Sequence, residues 1–262
     1  MNALERIQVD ISSPSETYAD PGSYPRISVI NANGLLHVDF FGSPFEEPYE
    51  RLCEALVDPS IAAALGSLML RTPDEGANGT CNWDLSLLAG GDHTFPSLTL
   101  LSIQQNGPSD HNRMIVAATY DEAGVLGAVL QKAPVLDALV TPSAPDEAFF
   151  AVKHHPLRFL SVDSGYDHQG FIERLSSTQC FPQLATLEFG EYNEPYMDDF
   201  SSRCTPLSAY RRLFQSVAFR SVRSFTWRNP VCTPAEIAEL RSLGPTQLQF
   251  KVVTFSSAYI RP

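Results

Sequence analysis

A short apolar skeleton recurs along most of this chain. Its clearest copy spans residues 95–103, and the closest second copy spans residues 181–189. Each copy has an apolar residue, two variable positions, a second apolar residue, one variable position and a third apolar residue. The first of the three apolar positions in each copy is occupied by Leu65, Leu98, Leu136, Leu157, Leu184 or Val222. A repeated skeleton of this kind indicates stacked supersecondary units, because one unit cannot bury its apolar edge alone.

Helix signals come before most of these copies and also after the last one. The clearest is the series Thr233, Pro234 and Glu236, in which threonine caps a helix, proline takes its first position and glutamate closes a capping box. Thr205-Pro206 predicts the same kind of start for the preceding helix, whose buried stripe would run from Leu207 to Val217. Apolar spacing predicts further helices near 125–130 and 171–175, and a short turn near 149–152. Strands that alternate with helices imply a parallel sheet with right-handed crossovers.

The first 60 residues have a different pattern. Two apolar segments, 26–30 and 35–40, flank a turn signal and predict a hairpin. The apolar residues between positions 4 and 11 suggest a further strand. A helix is expected over 46–65, broken at Asp58-Pro59. Residues 114–117, within a long stretch between units, suggest an extra strand or flap.

The skeleton, placed after a helix and a turn, resembles the leucine-rich-repeat family in its irregular intracellular form, over roughly residues 65–255. The resemblance implies an α/β fold: a right-handed solenoid with a short-stranded parallel sheet, helices on the convex side and an N-terminal β-rich cap. The chain would be a single domain, with the cap and first helix at 1–60, irregular repeats at 61–255 and a C-terminal tail at 256–262. The family implies protein binding through the concave sheet face and its loops, and it does not imply catalysis.

Charge and composition narrow the expected partners. The chain has 30 acidic and 18 basic residues, for a formal net charge of -12. Such a field repels phosphate backbones and attracts basic proteins, so we expect a basic protein partner and no nucleic acid. We also expect no membrane span, since no apolar stretch is long enough. Five scattered cysteines indicate reduced thiols and a cytoplasmic protein. We also expect the protein to be a monomer when it is free of its partner.

Three Asp-His pairs are the main candidates for chemistry: Asp92-His93, Asp110-His111 and Asp167-His168. Such pairs could orient a base or bind a metal, so a metal-assisted hydrolase is one alternative function, and a structural scaffold is another. However, the pairs lie in predicted loops of three different units. Neighbouring side chains of an extended segment also point to opposite sides. We therefore assign no catalytic residue, no metal ligand and no cofactor.

The stronger functional candidates are polar positions between the apolar residues of the strands, together with two loops. Side chains alternate across a strand, so these positions should face outwards together. The strand candidates are Gln104, Arg158, Ser161, Asp163, Glu188 and Arg228. The loop candidates are Tyr166, Asp167, Glu191, Tyr192, Glu194, Tyr196, Asp198 and Asp199. Aromatic residues anchor interfaces and carboxylates select basic partners. The sequence thus predicts a non-catalytic protein-binding solenoid, most concretely an immunity- or inhibitor-type protein that masks a basic partner such as a toxin domain.

Overall fold

The computed structural model describes residues 3–11, 25–73, 80–105, 114–116, 123–165, 167–191 and 200–254. Strands and helices alternate along these residues. The strands are β1 (Arg26–Ala32), β2 (Leu35–Phe41), β3 (Leu65–Arg71), β4 (Thr80–Asn82), β5 (Leu100–Ile103), β6 (Met114–Val116), β7 (Ala138–Thr141), β8 (Phe159–Asp163), β9 (Thr186–Gly190), β10 (Ser224–Arg228) and β11 (Gln249–Val253). The helices are α1 (Ala3–Ile11), α2 (Glu47–Leu56), α3 (Pro59–Ala64), α4 (Ser86–Ala89), α5 (Val125–Lys132), α6 (Phe171–Ser177), α7 (Phe200–Arg203), α8 (Leu207–Gln215) and α9 (Pro234–Leu243), with a 3₁₀ helix at Glu147–Ala151.

The main sheet has nine strands in the order β1-β2-β3-β5-β7-β8-β9-β10-β11, and it does not close. The β1–β2 pair is the antiparallel hairpin predicted from the sequence, and every other pair in this sheet is parallel. β4 and β6 form a separate parallel pair. The predicted strands at the repeated skeletons are therefore confirmed, and the possible strand near 114–117 is confirmed over Met114–Val116. Because the order of the strands follows the order of the chain, each unit lies beside its predecessor.

One row of apolar residues runs across the whole main sheet at matching register. Its members are Val29, Val38, Leu68, Leu101, Leu139, Leu160, Leu187, Phe225 and Phe250. From Val38 to Phe225 these side chains are buried, and they pack in one core with the apolar faces of the helices. Helices of neighbouring units contact one another along the sheet, for example α5 with the 3₁₀ helix and α6 with α8. The helices therefore form one layer on one face of the sheet.

The helix boundaries confirm two sequence signals. At α9, the Thr233 hydroxyl accepts from the Glu236 backbone N–H at 3.3 Å, and the Glu236 carboxylate accepts from the Thr233 N–H at 2.8 Å. The predicted break between α2 and α3 falls at Asp58-Pro59. There the Asp58 carboxylate accepts a hydrogen bond from the backbone N–H of Ser60 at 2.9 Å and caps the N-terminus of α3.

Two sequence predictions are wrong. Residues 4–11 form the helix α1 instead of a strand, because Leu4 and Ile7 share one buried helical face while Val9 is 58% exposed. The helix after Thr205-Pro206 begins at Leu207, with Pro206 as the flanking residue and no side-chain cap. It ends at Gln215, so Val217 lies beyond it and is 49% exposed.

The cysteine thiols are reduced, and four of the five are buried. Burial is the main cause that raises the pKa of Cys53 to about 12, so its thiol stays protonated at neutral pH. Among the residues that the structure describes, no helix is long and apolar enough to cross a membrane.

Candidate protein-binding face

The face of the main sheet opposite the helices is the candidate site, and we call it the open face. Its middle row contains Ser28, Asp39, Met69, Ser102, Val140, Ser161, Glu188, Thr226 and Lys251. A second row toward the amino ends of the strands contains Ile30, His37, Ser67, Leu100, Ala138, Phe159, Thr186, Ser224 and Gln249.

Apolar residues occupy the centre of the open face. Leu100, Ala138 and Phe159 are direct neighbours on adjacent strands, and Met69 and Val140 lie in the next row. All five are partly exposed. We call these five residues the apolar patch. A side chain that is partly exposed on a strand retains apolar surface that a partner can bury.

A network of polar side chains lies beside the apolar patch, at the carboxyl ends of β8–β10. Arg228 is its centre: Nη2 donates to Asp163 Oδ1 at 2.8 Å and Nη1 donates to Glu188 Oε2 at 3.0 Å. The Ser161 hydroxyl lies 3.0 Å from Glu188 Oε2 and 3.1 Å from Gln105 Oε1. We call Gln105, Ser161, Asp163, Glu188 and Arg228 the polar network.

The register of the strands explains why these charges can meet. Asp163, Gly190 and Arg228 are direct neighbours on three successive strands. The missing side chain of Gly190 lets Arg228 reach across β9 to Asp163. A Cβ at position 190 would overlap Asp163 Oδ1 and lie 3.2 Å from Arg228 Nε.

The ion pairs of the network are partly withdrawn from solvent. The Arg228 side chain is only 11% exposed, against 22% for Asp163 and 28% for Glu188. Burial raises the pKa of Asp163, and the nearby Arg228 charge offsets part of that rise. The network therefore holds fixed charges in a medium less polar than water, where their interactions are stronger than at a fully exposed site.

A second charged group lies at the opposite end of the open face. Arg71 donates to Asp39 through two nitrogens, at 3.0 and 2.7 Å. The Arg26 guanidinium lies 4.2 Å from the centre of the Phe41 ring. The apolar patch is thus flanked on both sides by charges that already have partners within the chain.

The structure brings together four of the predicted strand candidates, namely Ser161, Asp163, Glu188 and Arg228. The other two lie elsewhere. Gln104 Oε1 accepts from the Thr72 N–H at 3.2 Å, and Arg158 is paired with Asp137 at 2.5 Å, before the start of β8. The sequence did not predict Gln105 as a site residue. Its only sequence signal is its position directly after the candidate Gln104, two residues beyond the end of β5.

The loop candidates give one correction. Glu191, which the sequence placed among the partner-facing acids, is only 5% exposed. Its carboxylate accepts from the Tyr210 hydroxyl and from the Thr205 N–H, the latter at 3.1 Å. Burial raises its pKa, although both hydrogen bonds oppose that rise. A signal for this contact was available, since Tyr210 falls in the predicted buried stripe of a helix and a buried hydroxyl needs a partner.

The remaining loop candidates contribute little to the described surface. Asp167 is exposed, and its carboxylate accepts from the Gln169 N–H at 2.6 Å, which shapes the local turn. Tyr166, Tyr192, Glu194, Tyr196, Asp198 and Asp199 lie outside the described residues.

The structure separates the described Asp-His pairs. Asp92-His93 precedes β5 and so lies at the amino edge of the sheet, whereas Asp167-His168 follows β8 at the carboxyl edge. His93 Nε2 is 3.0 Å from the Leu88 carbonyl, and His168 Nδ1 accepts from the Gly170 N–H at 3.1 Å. Asp110-His111 lies outside the described residues. Among the residues that are described, no group of three or more His, Cys, Asp or Glu side chains is arranged to hold a metal ion.

Comparison of the chain with models of protein families, with characterised proteins and with solved structures gives no match. The open face must therefore be interpreted from its own chemistry.

Proposed function

We propose that this chain is a non-catalytic protein-binding protein whose recognition surface is the open face. The observation that carries the proposal is the apolar patch, which is partly exposed at the centre of the open face and flanked by paired charges. An apolar centre within a polar rim is the usual anatomy of a protein interface.

The size of the open face fits this proposal. Nine strands spaced about 4.8 Å apart span roughly 38 Å, and three alternate residues with their side chains cover about 20 Å along each strand, which gives on the order of 760 Å². A standard interface buries about 800 Å² on each partner. The face is therefore large enough for one folded partner without a contribution from the helix layer.

The fold that we infer is an irregular leucine-rich-repeat-like solenoid, right-handed, with the helices on its convex side. Its support is the strand order, which follows the chain, and the single helix layer whose members contact their neighbours in turn. Such a fold implies protein binding. The acidic charge of the chain leads us to propose, by analogy, that it is a cytoplasmic inhibitor or immunity-type protein.

The net charge of -12 makes a basic partner, such as a toxin domain, the favoured class. The charges on the described open face are largely paired with one another, so the excess of acid would act mainly as a long-range field. Such a field speeds association and is screened by salt, whereas the apolar patch would set the lifetime of the complex. Added salt is accordingly expected to slow association more than it speeds dissociation.

The test begins with capture of a partner from a lysate of the native host, followed by purification of that partner and calorimetric titration. The decisive variant is Val140→Asp, which places a charge in the apolar patch. The matched control is Leu87→Asp, on the helix layer, where Leu87 is 51% exposed. We expect one-to-one binding that Val140→Asp weakens at least 100-fold and Leu87→Asp leaves unchanged. A partner that binds the Val140→Asp variant as tightly as the wild type would refute the open face as the binding surface.

A further inference from the structure

We infer that the polar network is a docking site for a basic side chain, an arginine or a lysine, presented by the protein partner. The inference rests on the proposed function, and it specifies the chemistry of the partner at one point of the open face. It is carried by the net negative charge of the polar network and by two of its carboxylate oxygens, which have no hydrogen-bond donor among the described residues.

Arg228 supplies most of the donors in the polar network, and both of its terminal nitrogens also lie 3.4 Å from the Ser161 oxygen. Ser161 has a single hydroxyl proton, yet its oxygen lies within hydrogen-bond distance of both Glu188 Oε2 and Gln105 Oε1, at 3.0 and 3.1 Å. The proton can serve only one of them at a time. Arg228 donates to one oxygen of each carboxylate, namely Asp163 Oδ1 and Glu188 Oε2.

Two carboxylate oxygens of the polar network, Asp163 Oδ2 and Glu188 Oε1, accept no hydrogen bond from any residue that the structure describes. The Gln105 amide nitrogen donates to the Thr141 carbonyl at 2.9 Å and to neither of these two oxygens. An ammonium or guanidinium group supplies several donors and no acceptor, which is the complement of these two oxygens.

The net charge of the polar network also favours a basic group as its ligand. Two carboxylates face one guanidinium, so the network carries one net negative charge while its side chains are mostly withdrawn from solvent. In the same row of described residues, the next cation is Lys251, two strands beyond Glu188, or roughly 10 Å away at the usual strand spacing. A basic side chain from a partner would balance the charge locally.

The neighbouring apolar patch supports a long basic side chain in particular. Val140 and Ser161 are direct neighbours in the middle row, and Phe159 lies in the next row on the same strand as Ser161. The methylene stem of a lysine or arginine could pack on these residues while its charged head reaches Glu188 and Asp163. Apolar residues next to the basic one in the partner would cover the rest of the apolar patch.

The test uses a phage-displayed library of random 12-residue peptides, selected on the wild-type protein. Selected peptides are synthesised, and their dissociation constants are measured for wild type, Asp163→Asn, Glu188→Gln and Val140→Asp. Glu54→Gln is the matched control, since Glu54 is an exposed carboxylate on α2 in the helix layer and its loss changes the net charge by the same amount. Thermal unfolding of each variant shows whether it still folds.

The inference predicts that selected peptides share a lysine or arginine beside apolar residues. Either network substitution should weaken their binding about tenfold, which is the scale of one charge-assisted hydrogen bond, while Glu54→Gln should have no effect. Replacing the basic residue of the peptide by norleucine should weaken binding to the same extent.

Three results would overturn the inference. If Glu54→Gln weakens binding as much as Glu188→Gln, the peptides respond to the overall charge and not to the network. If the peptides need the apolar patch, as shown by loss of binding to Val140→Asp, but contain no basic residue, the docking site is wrong and the proposed function stands. If no selected peptide is sensitive to Val140→Asp, both fail.

Discussion

Replacing Gly190 by alanine should destabilise the protein, although the backbone would tolerate the change. Gly190 lies in β9 with φ outside the left-handed region, so alanine fits its conformation. At such a position Gly→Ala normally stabilises by about 0.4–1 kcal/mol, because it reduces the freedom of the unfolded chain. The added Cβ, however, would overlap Asp163 Oδ1 and lie 3.1 Å from Asp163 Cγ.

The size of the loss follows from what Asp163 must give up. To clear the new methyl group the carboxylate has to turn away from Arg228 Nη2, which it now contacts at 2.8 Å. A hydrogen bond between charged groups contributes about 1.5–3 kcal/mol, and the side chains here are largely withdrawn from solvent. The loss exceeds the backbone gain, so we expect the free energy of unfolding to fall by about 1–2 kcal/mol.

A double-mutant cycle with Asp163→Ala measures this coupling. Urea unfolding, followed by circular dichroism, gives the free energy of unfolding of the four proteins, provided that the slope with urea is the same for all of them. Once the carboxylate is absent, Gly190→Ala should be neutral or stabilising by up to about 1 kcal/mol. An equal destabilisation with and without Asp163 would refute the steric explanation, and with it our account of why β9 has a glycine there.

Three further predictions concern stability. Leu187 is fully buried in β9, so Leu187→Ala should lower the free energy of unfolding by about 2–5 kcal/mol, and a loss below 1 kcal/mol in urea unfolding would contradict the core packing. Thr233→Ala removes the capping box of α9 and should cost about 1 kcal/mol, against almost nothing for Ser242→Ala in the last turn of the same helix. Burial raises the folded-state pKa of Glu191 above its unfolded value, so its contribution to stability is present at low pH and lost as pH rises through the folded-state pKa. Unfolding measured across that range should show a weaker fall with pH in Glu191→Gln, and an unchanged slope would be evidence against a buried carboxylate.

The strands were predictable from the sequence because their apolar residues keep a fixed spacing. Leu160 and Val162, for instance, are two positions apart, as neighbours on one face of a strand must be, and both are fully buried. The same alternation placed Ser161 and Asp163 together on the other face. The N-terminal helix was missed because Val9 and Ile11 imitate a strand pattern, while the burial of Leu4 and Ile7 depends on contacts with β1 and α2.

The contacts within the site were not predictable, since they join residues far apart in the chain. Arg228 and Asp163 are 65 residues apart, and the Ser161 contact with Gln105 spans 56 residues. Alternation indicates which face a side chain occupies, but only the register of the sheet decides which side chains meet. Glu191 shows the same limit: its charge suggested the surface, and its partners Thr205 and Tyr210 lie 14 and 19 residues further along.

The order of the strands also bears on how the molecule should unfold and how its relatives could vary in length. Because each unit of the main sheet contacts its immediate neighbours, cooperativity should spread from unit to unit and weaken toward β1 and β11. Amide hydrogens of β7, β8 and β9 are expected to exchange most slowly and those of the outer strands most quickly. The same organisation would allow one helix–strand unit to be duplicated or deleted without changing the contacts of the others, so that the width of the open face could change in evolution in steps of one strand.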